Sequence, residues 1–184
     1  MTLKSALTHS NNTVSAYLIN KLTPAAFVQI LRDFGIRSLS VYPSMSLCLG
    51  SCDLSVSEMI SGYSAFANKG IRVSPIMVTK IENNKGEVVA EFHPRMHEVI
   101  SAESSYKMIE MMRSVVDHGT GRGVRAYGLR APTAGKTGTT NQNSDAWFIG
   151  FVPRLVSGGW VGAEDRDIHF NNTHIGQGAG AALP

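Results

Sequence analysis

Three short runs towards the C-terminal end constrain this chain more than anything before them. Residues 135–140 (Gly-Lys-Thr-Gly-Thr-Thr), 146–152 and 155–161 each read as a strand, rich in Thr, aromatic and β-branched residues. Residues 141–145 separate the first two, and Pro153-Arg154 joins the last two. A parallel pair needs a crossover of a dozen or more residues, so these neighbours are antiparallel. The first strand concentrates Lys136, the hydroxyls of Thr137 and Thr139, and the bare Gly138. That combination suits a strand edge that receives an anionic, peptide-like ligand. Each residue also has a plainer reading: a solvated lysine, ordinary strand-forming threonines, a bulge glycine. Strand alternation puts Thr137 and Thr139 on one face and Lys136 on the other, unless the strand is twisted or kinked.

Residues 1–134 read as mainly helical with one hairpin, and 135–184 as core sheet strands followed by a tail, together a single domain. Apolar residues recur at three- and four-residue steps over 3–22, interrupted by Ser10-Asn11-Asn12-Thr13. Those four polar residues either form a turn between two helices or cap the second. Thr23-Pro24 opens the next helix, with Phe27, Ile30, Leu31 and Phe34 on its apolar face and Gly35 as its stop. Residues 36–54 are irregular. Ser55 and Glu58 make a capping box for a helix ending at Gly70. Residues 76–81 and 87–92 flank Asn83-Asn84-Lys85-Gly86 as a β-hairpin. Ser101 caps a helix with Met108, Ile109, Met112, Val115 and Val116 inward, and 118–134 is a loop. Residues 176–184 are a small, apolar tail.

Several function classes are excluded. The net charge of +3 comes from scattered Lys and Arg, so a nucleic-acid partner is not favoured. The chain is 43% hydrophobic and 17% charged, the balance of a folded protein, and its apolar runs are too short to cross a bilayer. Cys48 and Cys52 fit a small disulfide loop, a pair of packed thiols, or half of a metal site that no second pair completes.

With these motifs in order, the chain resembles the transpeptidase domain of the class A (bifunctional) penicillin-binding proteins. The resemblance rests on Ser10-Asn11-Asn12, on 58–70, on Gly119-Thr120-Gly121, on 134–140, and on Asp145-Ala146-Trp147-Phe148-Ile149-Gly150-Phe151. It implies a β-lactamase/transpeptidase-like α/β fold of the α+β type, with an antiparallel sheet packed by helices and a helical subdomain. It also implies serine acyl transfer on a stem peptide ending in D-alanyl-D-alanine, without metal or cofactor, and recognition of β-lactam antibiotics. Lys136 then corresponds to the carboxylate clamp, and Thr137, Gly138, Thr139 and Thr140 to the strand that binds substrate. The Thr139 N–H matches the second oxyanion donor. Ser10 matches the serine that relays a proton to the leaving or incoming nitrogen, and Asn12 the amide that bonds the substrate backbone. Asp145 and Trp147 support the strand, Trp147 as core.

The family's Ser-x-x-Lys nucleophile motif precedes Ser-x-Asn. The residues ahead of Ser10 contain none, and the formal match Ser104-Ser105-Tyr106-Lys107 lies on the wrong side, at the start of a helix. The expectation is therefore a domain incomplete at both ends, inactive alone, with an exposed sheet edge that favours self-association. The parent would be a peptidoglycan D,D-transpeptidase on the extracytoplasmic face of the cell membrane, held by an anchor upstream. The alternatives are a penicillin-recognising sensor module, or a D,D-carboxypeptidase or β-lactamase-like hydrolase.

Overall fold

The structure, a computed structural model, describes residues 1–140, 143–165 and 167–169. Local chemistry sets most of the helix boundaries. The Thr2 hydroxyl caps α1 (Leu3–Thr8), and Asn11 caps α2 (Asn12–Leu22) by accepting the Val14 N–H at 3.0 Å. Thr23 caps α3 (Pro24–Asp33), whose axis lies 96° from that of α2. A 3-10 turn over Met45–Leu49 follows, then α4 (Val56–Ala67) with both bonds of its capping box in place. The long α5 (Ala102–His118) starts at Ser101, which accepts the Ser104 N–H. Among the described residues no single helix is long and apolar enough to cross a membrane.

The central sheet has the order β5 (Ala134–Thr139), β6 (Asp145–Val152), β7 (Leu155–Gly162), both pairs antiparallel. α5 packs on β5 and on α1, and α4 packs on β7. Met112, Ala134 and Phe151 form the buried centre of this layer, with Leu7, Tyr63, Phe66 and Val156 around them. A second cluster of Ile19, Val28, Ile36, Val41 and Leu47 holds α2, α3 and the 3-10 turn together.

Three expectations need correction. The hairpin is shorter than its apolar runs: only β2 (Lys80–Glu82) and β3 (Val88–Glu91) pair, with a register shift after Ile81. Both strands lie largely in solvent, so little but the backbone ladder defines them. A second ladder, β1 (Ile71–Val73) with β4 (Met96–Glu98), brackets the hairpin. The 118–134 segment is not all loop, because α6 (Gly123–Ala126) makes one turn there. Ile30 faces outward, 39% exposed, and Val28 takes the buried place on α3. The two cysteines are free, half-buried thiols against the second cluster, with burial and the nearby Asp53 and Glu58 pushing the Cys52 thiol up. The tail at 176–184 lies outside the described residues.

Candidate active site

The site is built where the α1–α2 junction meets β5. α1 ends in a Schellman turn: the Asn11 N–H donates to Ala6 O at 2.9 Å, and the Ser10 N–H to Leu7 O at 3.1 Å. Ser10 occupies the left-handed position of that turn, with φ 52°. Glycine is the usual occupant, because a Cβ there costs about 1–2 kcal/mol. A serine kept in a strained, solvent-facing position points to a use for its hydroxyl.

That hydroxyl accepts a hydrogen bond from Lys136 Nζ at 2.9 Å, across 126 residues of sequence. The same ammonium donates to Thr137 O at 2.7 Å. Register explains how Lys136 reaches the helical side. It lies opposite Ile149, which lies opposite Gly158, and Ile149 is buried. Lys136 is therefore on the helix-covered face of the sheet, and Thr137, opposite Phe148, is on the other. Alternation holds without a kink, and the two side chains serve different partners. Burial lowers the Lys136 pKa from 10.5 to about 8.

Thr137 is 8% exposed, and its hydroxyl lies 2.7 Å from that of Thr120. Gly138 lies beside Trp147 on the Lys136 face; a Cβ at Gly138 would sit 3.1 Å from Trp147 Cβ. Trp147 is half-buried and packs at a tilt on Trp160, with ring centroids 6.4 Å apart, so it is a platform at the sheet's end rather than core. Thr139 is the exposed last residue of β5. The Thr140 hydroxyl closes the β5–β6 turn: it accepts the Asp145 N–H at 2.9 Å and donates to Asp145 Oδ2 at 3.1 Å. Asp145 Oδ1 accepts the Trp160 indole N–H at 2.8 Å. Asn12 is the exposed first residue of α2, one position beyond the cap. The Ser104 tetrad sits at the opposite end of α5 from Gly119. Ser105 is buried and bonds Phe66 O, and Lys107 pairs with Glu103.

Thr8 and Ser114 carry no signal in the sequence pattern, and Thr120 stands there only within the Gly119-Thr120-Gly121 motif, yet the three hold the two walls together. Thr8 Oγ1 donates to Ser114 Oγ at 3.0 Å in the buried α1–α5 contact, and the Thr120 N–H donates to Thr8 O at 3.2 Å.

An antiparallel sheet packed by helices is the arrangement of the β-lactamase/transpeptidase fold. The chain belongs to the penicillin-binding protein transpeptidase domain family, whose model matches residues 1–161. Penicillin-binding protein 1A of Neisseria meningitidis is 36% identical over 189 residues, covering 100% of this chain and 23% of the relative. Penicillin-binding protein 1A of Aquifex aeolicus is 38% identical over 162 residues, covering 88% of this chain and 22% of the relative. The chain thus spans under a quarter of the length of these relatives. The crystal structure of penicillin-binding protein 1A from Haemophilus influenzae superposes with a TM-score of 0.84 at 23% identity, over 92% of this chain and 31% of that one. The imipenem acyl-enzyme complex of penicillin-binding protein A from M. tuberculosis superposes at 0.74 and 19% identity, over 100% of this chain and 47% of that one.

Proposed function

We propose that this chain supplies one wall of the active site of a serine-type D,D-transpeptidase that cross-links peptidoglycan stem peptides. The supporting observation is the Lys136 Nζ–Ser10 Oγ hydrogen bond, which joins the clamp strand to the relay turn. The nucleophile is a serine of a Ser-x-x-Lys segment that this sequence does not hold in the family's order.

Each residue then has a task. Charged Lys136 attracts the terminal carboxylate of a D-alanyl-D-alanine peptide, or of a β-lactam, at the edge of β5. Donating to Ser10 Oγ, it leaves the Ser10 proton free to point away from the lysine. When the serine nucleophile has attacked the amide carbonyl, the Thr139 N–H supports the oxyanion. As the C–N bond breaks, Ser10 gives its proton to the departing D-alanine nitrogen and takes in its place the proton that the nucleophile gave up. In the second half the relay runs in reverse: as the acyl group passes to the incoming amine, Ser10 takes a proton from that nitrogen and its own returns to the nucleophile's oxygen. Thr137 and Thr139 hydroxyls bind the carboxylate, and the Asn12 amide bonds the peptide backbone. Thr140 serves the site indirectly, by holding the end of β5. The parent acts at the extracytoplasmic face of the membrane, where stem peptides lie.

The test uses the full-length protein, a stem-peptide donor ending in D-alanyl-D-alanine and an amine acceptor. Cross-linked product in excess of hydrolysed product is expected. Hydrolysis alone would make it a carboxypeptidase or β-lactamase-like hydrolase, and stable binding without turnover would make it a sensor.

A further inference from the structure

The Gly119-Thr120-Gly121 loop touches both walls of the site, and Thr120 does so with two different groups. Its N–H donates to the carbonyl of Thr8, the last residue of α1 and two before Ser10. Its hydroxyl lies 2.7 Å from that of Thr137 on β5. The loop is fixed from behind, since the N–H groups of Gly119 and Gly121 both donate to Val115 O, at 3.1 and 3.0 Å. It is also pressed hard on α1: a Cβ at Gly119 would fall 2.1 Å from Thr8 O. The Ser10 turn and the clamp strand therefore share one spacer.

The hydroxyl pair adds a directional argument. A threonine hydroxyl has one proton. For Thr137 to donate to a ligand carboxylate, its proton must point at the ligand, and its oxygen must then be the acceptor in the contact with Thr120. With Thr137 donating to the carboxylate, the order Thr120 to Thr137 to carboxylate gives both protons an acceptor. Each bond in such a chain polarises the next. Without the Thr120 proton, the buried Thr137 oxygen has lost its donor.

We propose that Thr120 is a positioning residue of the transpeptidase site, which orients the Thr137 proton towards the substrate carboxylate and sets the gap between the Ser10 turn and β5. The proposal rests on the transpeptidase reading for its chemistry but not for its geometry.

The test compares wild-type full-length protein with Thr120→Val and Thr120→Ser. Valine keeps the N–H and the shape and removes the hydroxyl; serine restores the hydroxyl. The first readout is the second-order rate of acylation by penicillin G and by its methyl ester, which has no carboxylate. The second is amide hydrogen exchange over residues 134–139. Thr120→Val is expected to slow acylation by penicillin G about 10- to 100-fold, to leave the ester rate within about threefold, and to speed exchange on β5. Thr120→Ser is expected to restore all three. Equal loss for acid and ester, no rescue by serine, or unchanged exchange on β5 overturns the proposal. If wild type itself takes no label, the transpeptidase reading fails, and exchange on β5 alone decides whether Thr120 positions the strand.

Discussion

Raising the pH should switch off the clamp well before free lysine would lose its proton. Burial brings the Lys136 pKa to about 8. About nine in ten Lys136 side chains are then charged at pH 7, and about one in ten at pH 9. Attraction for a ligand carboxylate follows the charged fraction. The rate of acylation by sub-saturating penicillin should therefore fall about tenfold over that interval, equivalent to about 1.4 kcal/mol. The assay is a pH profile of the full-length protein from 6 to 10, run beside Lys136→Arg, whose guanidinium stays charged throughout. The wild-type profile should bend near pH 8, and the arginine variant, whatever its absolute rate, should not. The same bend in both, or a wild-type profile flat to pH 10, would refute the reasoning. Stability changes in the opposite sense. Between pH 8 and 10.5 the unfolded chain holds more protons on this lysine than the folded one, so folding becomes more favourable as pH rises through that window. The drop from 10.5 to about 8 corresponds to about 3 kcal/mol, and Lys136→Met should remove the rise in urea-unfolding experiments.

Three further outcomes follow from particular contacts. Gly119→Ala forces a Cβ against the Thr8 carbonyl and should cost about 1–3 kcal/mol in urea unfolding, with slower acylation as α1 shifts. The Glu58 carboxylate accepts from Ser55 N–H and hydroxyl and from the Arg37 and Ser38 N–H groups, so Glu58→Ala should cost about 1–2 kcal/mol. Burial pushes the Glu58 carboxyl up, but those hydrogen bonds outweigh it and hold the pKa low. Its stabilisation is present above the ordinary carboxylate range and fades as pH falls through the lowered value; Glu58→Gln should blunt that acid-side loss. The outer edge of β7 pairs with no other strand among the described residues, and Leu155 and Trp160 on it are 60% and 41% exposed. The isolated chain should therefore self-associate at micromolar concentration by light scattering, and a clean monomer would count against it.

Local signals were readable wherever a residue acts on its own neighbours. Thr23-Pro24, Ser55 with Glu58, and Ser101 each cap a helix as the sequence implies, because a cap is a contact across three residues. The three strands of the central sheet were legible for the same reason, since their short connections leave one pairing. The polar interruption at 10–13 was legible only as a choice between turn and cap. It is both: Ser10 closes α1 and Asn11 opens α2. The β1–β4 ladder was invisible, because Ile71 and Glu98 pair across the whole hairpin and neither run announces a partner. Thr8 and Ser114 were invisible for a related reason, and Thr120 was legible only as part of the Gly119-Thr120-Gly121 motif, with no role attached. A hydroxyl that pairs across the fold has the same sequence appearance as one that faces solvent or caps a helix, and only the fold shows that Thr8 meets Ser114 and that Thr120 meets Thr137. Ser104 is the converse. It fits a nucleophile motif in sequence, but its hydroxyl accepts from Ser101 at the exposed start of α5.

Intact-mass measurement after exposure to penicillin G is the most direct test of the central claim that Ser10 and Lys136 form one wall of a penicillin-accepting serine site. The full-length protein should gain the mass of one ligand, and peptide mapping should place it on a Ser-x-x-Lys serine outside these 184 residues. The 184-residue chain alone should gain none. A stable adduct on the isolated chain, at Ser104 or elsewhere, or a full-length protein that never takes the label, would contradict it.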